Sequence, residues 1–435
     1  MTEPTERTMN DVSTSQAPSA MIVADDLTGA TDSAVQFARA GWHTQLVLDS
    51  RAEAGGKPGS VTARVTDARA LGSAEARSRT REAVAAGAGH ASHLFLKIDS
   101  TLRGTVMDQI SGALDVWREK HPSAVAVVCS AYPPMGRTVV DGRLLVNNVP
   151  VHETPIGRDP VTPVATSAIA DLLAGSTRVA RSANVSLRDA LEAASAASSV
   201  LTVDASTEAD IAELAEAITS LGHRAIPVGS AGLALALAAA WGDGLVAATP
   251  PSAQASRVVL VASSLHDVTL EQVDALSDAR SDVVVLRPSL QQLLNSGARS
   301  QWHDAVSAAS ARTAPVTVIA APTERRETLA SSRSDASGRV ADGLAQAAHS
   351  LVAGEPGASL VLMGGEGARA VLETLGTERV HIHRAIREGM PIGTIEGGVA
   401  NGATVVTKAG GFGARTDISD IVSELLDNES VGTPL

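Results

Sequence analysis

Short apolar runs along this chain repeatedly give way to a polar cluster, and the cluster to a stretch with apolar positions three and four apart. That order predicts a buried parallel strand, a tip carrying ligand groups, and an amphipathic helix. The stretch 21–41, MIVADDLTGATDSAVQFARAG, shows it most plainly. Residues 21–24 read as the strand, which breaks at Asp25 and Asp26. Ala30, Ala34, Phe37 and Ala38 then line one face of a helix. Thr28, Thr31 or Asp32 is the capping candidate, the alternative being that one of Asp25 and Asp26 caps and the other is merely solvated, and Gly41 suits the left-handed stop. Two carboxylates therefore stand at the carboxyl end of a strand, where open α/β sheets bind their ligands.

The same grammar predicts strands over 44–48, 62–66, 93–98, 124–129, 200–203 and 225–228, with helices at 73–86, 106–117, 207–221 and 233–241. Alternation around Asp141-Gly142 predicts a hairpin over 138–151. Two further tips carry Asp67 with Arg69, and Lys97 with Asp99, Ser100 and Arg103. Residues 242–256, with two prolines and no periodicity, read as a linker. Beyond it come strands at 258–261, 283–286, 316–320, 359–363 and 403–407, and helices at 269–276, 338–352, 368–375 and 418–426. The expected fold is α/β: two domains, each with a mostly parallel sheet flanked by helices, and the active site in the cleft between them. The expected boundaries are a disordered tail over 1–19, domains over 20–242 and 257–430, and the linker over 243–256.

Composition narrows the function. Apolar residues make up 44 % of the 435, enough for large cores, but aromatic residues only 2 %. Stacking platforms for single-stranded nucleic acid are thus not expected, and the formal charge of −13 argues against any polyanion partner. Cys129 is the single cysteine, so no intramolecular disulfide forms; within 124–129 it reads as a buried, inert thiol. No apolar run approaches the roughly 18 residues a bilayer span needs, so no membrane partner is expected. Residues 1–19 lack the apolar segment of a signal peptide, so a cytoplasmic protein is expected. The sequence leaves a homodimer open.

In the second half, Gly364, Gly365, Glu366 and Gly367 follow a strand and open a helix. Absent side chains let backbone N–H groups approach an anion, and the helix N-terminus is positive. The run is neither a Walker A loop nor a GxGxxG fingerprint. Lys408, ahead of Gly410, Gly411 and Gly413, makes a second such loop, and the two together read as a nucleotide cleft. Glu366 or Asp417 is the candidate to hold Mg²⁺ through water. The histidines are scattered without metal-ligand spacing, and His381 and His383 are a strand-like pair in a loop-rich region.

With these motifs in view, the chain resembles the four-carbon acid sugar kinase family over about residues 21–426. The resembling stretches are ADDLTGA at 24–30, TDAR at 66–69, KIDSTLRG at 97–104, AYPPMGRTVVDG at 131–142, VGSAGLA at 228–234, GGEGA at 364–368 and VVTKAGGFG at 405–413. The resemblance implies an N-terminal domain that binds the sugar acid and a C-terminal one that binds ATP with Mg²⁺. Phosphate would pass to the terminal hydroxyl of threonate, erythronate or 3-oxo-tetronate. It also implies substrate contacts at Asp26, Arg69, Lys97, Ile98, Asp99 and Ser100, with ATP contacts at Ser264, Gly364, Gly365, Glu366, Gly367 and Gly410. Asp26 is the expected base, with Asp25 and Asp99 as alternates, and Arg69, Lys97 or Arg103 is expected to offset the substrate's carboxylate.

Four positions depart from the family's pattern. Ala68 stands where it usually has serine, Ser263 where it has glycine, Gly367 where it has threonine, and Ala409 where it has serine. Because three of the four lie on the nucleotide side, the alternative reading is a non-catalytic sugar-acid-binding sensor that has lost ATP turnover.

Overall fold

The structure, a computed structural model, describes residues 17–427 apart from 49–55, 160, 243, 247–253, 313, 325–334 and 356. Residues 1–16 of the expected tail and most of the expected linker lie outside them.

The first half supplies β1 (Ala20–Ala24), β2 (His43–Val47), β3 (Ser60–Val65), β4 (His93–Lys97), β5 (Val125–Cys129), β6 (Arg137–Val140), β7 (Arg143–Val146), β8 (Val149–Pro150), β9 (Thr177–Val179), β10 (Val200–Val203) and β11 (Ala225–Gly229). Eight of them pair in parallel in the order β2-β3-β1-β4-β11-β5-β10-β9. β1, β5 and β11 are buried at every position, as strands covered on both faces by helices must be. β6, β7 and β8 form the small separate sheet, and Asp141-Gly142 turns between the first two with both φ positive.

The second half supplies β12 (Arg257–Ala262), β13 (Val283–Leu286), β14 (Val316–Ala320), β15 (Ala358–Met363), β16 (Arg379–Arg387), β17 (Met390–Glu396) and β18 (Thr404–Lys408). Their order is β13-β14-β12-β15-β18-β17-β16; the first five are parallel and the last two antiparallel. β16 then pairs antiparallel with β2, so among the described residues one fifteen-stranded sheet runs through both halves. The strand-like pair His381 and His383 therefore belongs to a nine-residue strand at the seam, and only its loop-rich surroundings differ from the expectation. Its buried Val380 and Ile382 alternate with half-buried histidines that reach polar partners, His383 Nε2 bonding Thr394 Oγ1 at 2.9 Å.

Helix α1 (Leu27–Arg39) is packed at that seam, where Thr407 Oγ1 on β18 bonds Thr31 Oγ1 at 3.1 Å. Gly41 ends α1 at φ +90°, and Cys129 is buried, its thiol pushed up to about 11 by burial. No helix among the described residues is long and apolar enough to cross a membrane.

At the opposite end of the strands from the tips, His93 stacks on Trp241 at 4.3 Å between ring centroids, and His121 stacks on His223 at 4.6 Å. Burial, with His223 beside it, pushes His93 down to about 4, so the folded protein favours the neutral ring. The unfolded chain then binds more protons below about pH 6.5, and the stability His93 contributes is lost as pH falls from there towards 4, by about 2–3 kcal/mol. Asp32, raised to about 6 by burial, acts in the opposite sense across part of that window. The check is therefore a difference measurement: urea midpoints from pH 7 to 4 for the wild type and for His93→Gln should converge as the pH drops.

Candidate active site

The polar tips of the first half converge. Asp26 caps α1, its Oδ1 accepting from Gly29 N at 2.7 Å. The cap is thus Asp26 itself, not Thr28, Thr31 or Asp32, because its extended backbone aims the carboxylate at the free N–H groups of the first turn. Asp25, fully buried, takes a bidentate fork from Arg69 at 2.8 and 2.9 Å. The third nitrogen of that guanidinium, Nη1, lies 2.8 Å from Asp26 Oδ2. Burial pushes the Asp25 carboxyl up against the pull of Arg69. Burial also works against the charge on Arg69, but Asp25, Asp26 and Asp99 more than reverse that.

On the next tip Asp99 accepts from Arg103 Nε and Nη2 at 2.9 and 2.8 Å and from Thr101 N at 3.1 Å. Burial opposes its charge, yet Arg69, Arg103 and Thr101 hold the carboxyl well below the usual range. Arg103 also reaches Asp159 at 3.2 Å. Lys97 is buried, its Nζ donating to Ile98 O at 2.8 Å. A Cβ on Gly29 would meet Asp26 Oδ1 at 2.6 Å and Lys97 Nζ at 2.8 Å, so only glycine lets that ammonium lie against the cap. Asp67 and Leu102 hold positive φ beside this cluster, 50° and 57°, a strain that concentrates at functional sites.

The expected substrate residues thus gather, with two qualifications. Ile98 has a fully buried side chain in the core, so only its backbone faces the tip. Arg69 and Arg103, expected to meet a substrate carboxylate, are already engaged with carboxylates of the protein. Ser100 is half-buried on the same tip as Asp99.

In the second half, the tips after β12, β15 and β18 are neighbours because those strands are adjacent in the sheet. Gly364, at φ +107°, donates its N–H to Lys408 O at 2.9 Å, and helical geometry begins at Gly365. A Cβ on Gly364 would meet Ser263 Oγ at 2.6 Å, and one on Gly410 would overlap the Ser264 hydroxyl. Glycine is therefore required at both positions by the close approach of Ser263 and Ser264. Lys408 is buried; burial pushes it down to about 8 against the opposing field of Asp417, and its Nζ donates to Ala409 O at 2.9 Å and Gly410 O at 3.2 Å. Glu366, expected on the nucleotide, receives the Ser337 hydroxyl at 2.9 Å on both oxygens. No cluster of three or more metal-ligating side chains occurs among the described residues. Mg²⁺ fits all the same, since it is commonly held by phosphate oxygens, waters and one or two carboxylates.

The structure also explains two departures from the family's pattern. A Cβ on Gly367 would overlap the side chain of Ser263, so the bulk at 263 excludes bulk at 367. Gly367→Thr alone should destabilise the protein by about 1–3 kcal/mol through overpacking. Gly367→Thr combined with Ser263→Gly should recover most of that in a thermal melt, and equal loss in both variants would show the positions to be independent.

Both sets of tips meet across the seam. A Cβ on Gly365 would stand 3.0 Å from Thr28 Oγ1 and 3.8 Å from Asp26 Oδ2. Arg369, on the helix Gly365–Thr374 that opens there, pairs with Asp67 of the first half. Glu388, in the turn between β16 and β17, accepts from Tyr132 Oη at 2.5 Å and Arg39 Nη1 at 3.1 Å. Sequence reasoning missed Thr28, Arg369, Tyr132 and Glu388, because nothing local to each shows that the other half faces it.

Two parallel-sheet halves thus face each other, one with acids and cations paired at its tips and one with glycine loops. The family described as a sugar-binding N-terminal domain matches residues 20–237, and the one described as a nucleotide-binding C-terminal domain matches 259–418. The D-threonate kinase of Bordetella bronchiseptica is 40 % identical over 401 residues, 91 % of this chain and 94 % of that one. The D-erythronate kinase of Heliobacterium modesticaldum is 30 % identical over 440 residues, 93 % of this chain and 97 % of that one. A solved Haemophilus influenzae protein shares the fold, with a TM-score of 0.70 at 21 % identity over 93 % of this chain and all of that one. The chain belongs to the four-carbon acid sugar kinase family.

Proposed function

We propose that this protein is an ATP-dependent kinase that phosphorylates the terminal hydroxyl of a four-carbon acid sugar of the threonate, erythronate or 3-oxo-tetronate type. The observation that carries the reading is the meeting of Gly365 with Thr28 and Asp26, which sets a helix N-terminus against a carboxylate. The acid sugar lies on the first half against Asp26, Arg69, Lys97, the backbone of Ile98, Asp99 and Ser100. ATP lies on the second half, its phosphates on the backbone N–H groups of Gly364, Gly365, Glu366 and Gly367 and near Ser264, Lys408 and Gly410. Bound there with Mg²⁺, it supplies the phosphoryl group and part of the neutralising charge.

Asp26 accepts the proton of the attacking hydroxyl. Arg69 fixes the rotamer of Asp26 through Nη1, 2.8 Å from Oδ2. Asp99, held strongly anionic, accepts from a hydroxyl of the sugar chain. The seam contacts keep water from the acceptor position, where it would compete. The domain boundary we propose, 243–256, leaves the whole first half on one side of these contacts.

The experiment is ADP release scored against D-threonate, D-erythronate and 3-oxo-tetronate, with ATP–Mg²⁺ calorimetry alongside. Turnover of one acid supports the kinase. Binding of an acid without nucleotide binding at millimolar ATP supports the sensor instead.

A further inference from the structure

The cations of the first half are not equivalent. Arg69 is forked onto Asp25 and tied to Asp26, Arg103 is forked onto Asp99 and tied to Asp159, and Lys97 is buried with its Nζ on the carbonyl of Ile98. Arg137 differs from the other two arginines. Among the described residues it forms no ion pair, and its only side-chain hydrogen bond goes to the carbonyl of Met135. A half-buried guanidinium with one neutral partner is costly unless an anion completes it.

Its placement is built rather than incidental. Arg137 starts β6, and its backbone pairs in both directions with Tyr132, at 2.7 and 3.1 Å. Between them Pro133–Met135 form a tight 3-10 turn closed by Gly136 at φ +71°. Two prolines and a left-handed glycine leave that loop little freedom, so the base of the arginine is preorganised. Tyr132 also bonds Glu388 of the second half, which fastens the loop to the seam. β5, which leads into this loop, is parallel to β4 with only β11 between them, so the loop and the Asp99 tip share one edge of the sheet, and Asp99 and Arg103 are the charges that Arg137 senses.

We propose that Arg137 is the receptor for the carboxylate of the acid sugar. This rests on the kinase reading of the site, within which it assigns the acid end of the substrate. The planar guanidinium suits a bidentate carboxylate contact, and the neighbouring Asp99 then takes a hydroxyl rather than the acid group. The terminal hydroxyl is left at the other end of the chain for Asp26. Discrimination between an acid and the corresponding polyol falls to Arg137, whereas Arg69 and Arg103 organise the acids of the protein.

The test compares wild type, Arg137→Gln and Arg137→Lys in the full chain, with D-threonate or D-erythronate, whichever the wild type turns over, and with threitol or erythritol as the neutral counterpart. The KM for the acid should rise about 10- to 150-fold in Arg137→Gln, the loss of one charged hydrogen-bonded contact. The KM for ATP and the melting temperature should stay near wild type, the polyol should be handled alike by both proteins, and Arg137→Lys should recover part of the loss. Undiminished preference for acid over polyol in Arg137→Gln would overturn the assignment. Equal losses on acid and polyol would overturn it too, by showing a structural role. A wild type that turns over none of the acids defeats the kinase reading; calorimetry with the same acids then tests Arg137 by itself, and equal affinity in wild type and Arg137→Gln rejects it.

Discussion

Asp26→Asn should fold normally and lose turnover by about 10²–10⁴-fold, the usual cost of removing a general base. The fold should survive because asparagine caps helices as well as aspartate does, and its side-chain oxygen can still accept from Gly29 N, now 2.7 Å from Asp26 Oδ1. What disappears is the acceptor for the hydroxyl proton and the charge facing Arg69 Nη1 at 2.8 Å. ADP release measured beside a thermal melt reads both quantities. Wild-type turnover in a folded Asp26→Asn protein removes Asp26 from the chemistry.

Arg69→Ala should have the largest effect on stability, about 3–5 kcal/mol, because it strands the fully buried Asp25 without its fork. This goes beyond a weakened grip on the acid sugar. Asp26 loses the same cation, so turnover should fall together with the urea midpoint. Pairing Arg69→Ala with Asp25→Asn should restore much of the stability, since a neutral amide needs no counter-ion, while activity stays low. If the single variant melts like the wild type and only the acid KM rises, Arg69 is a substrate contact and not the keystone of the acidic cluster.

The alternation of apolar run, polar tip and helix was legible in most of the parallel strands because burial on both faces leaves them few polar positions; β9, three residues long and only partly buried, gave no such run. β1, β5 and β11 carry that signature in full. β16 and β17 do not: they are antiparallel strands with one wetter side, and RVHIHRAIR mixes charge with apolar residues, so only the strand-like histidine pair stood out in it. The capping of α1 was left undecided for a related reason. Asp26, Thr28, Thr31 and Asp32 all offer a side-chain oxygen, and only the backbone entry angle selects among them.

By itself the sequence determined the α/β class, the halves, the strand tips that carry acids and cations, and the glycine loops. Each of those is a matter of residue type within a few neighbours: burial period, turn chemistry and backbone access are local properties. Tertiary structure alone decided which charges neutralise one another and which face outward. Arg69, Arg103 and Arg137 look alike as tip arginines in the sequence, yet two are forked onto buried aspartates and the third is not. The joining of both halves into one sheet through β16 and β2, and the setting of Gly365 against Asp26, were likewise decided there. The reason is range: Coulomb and packing terms are fixed by distances between residues up to hundreds of positions apart, and no local pattern encodes such a distance.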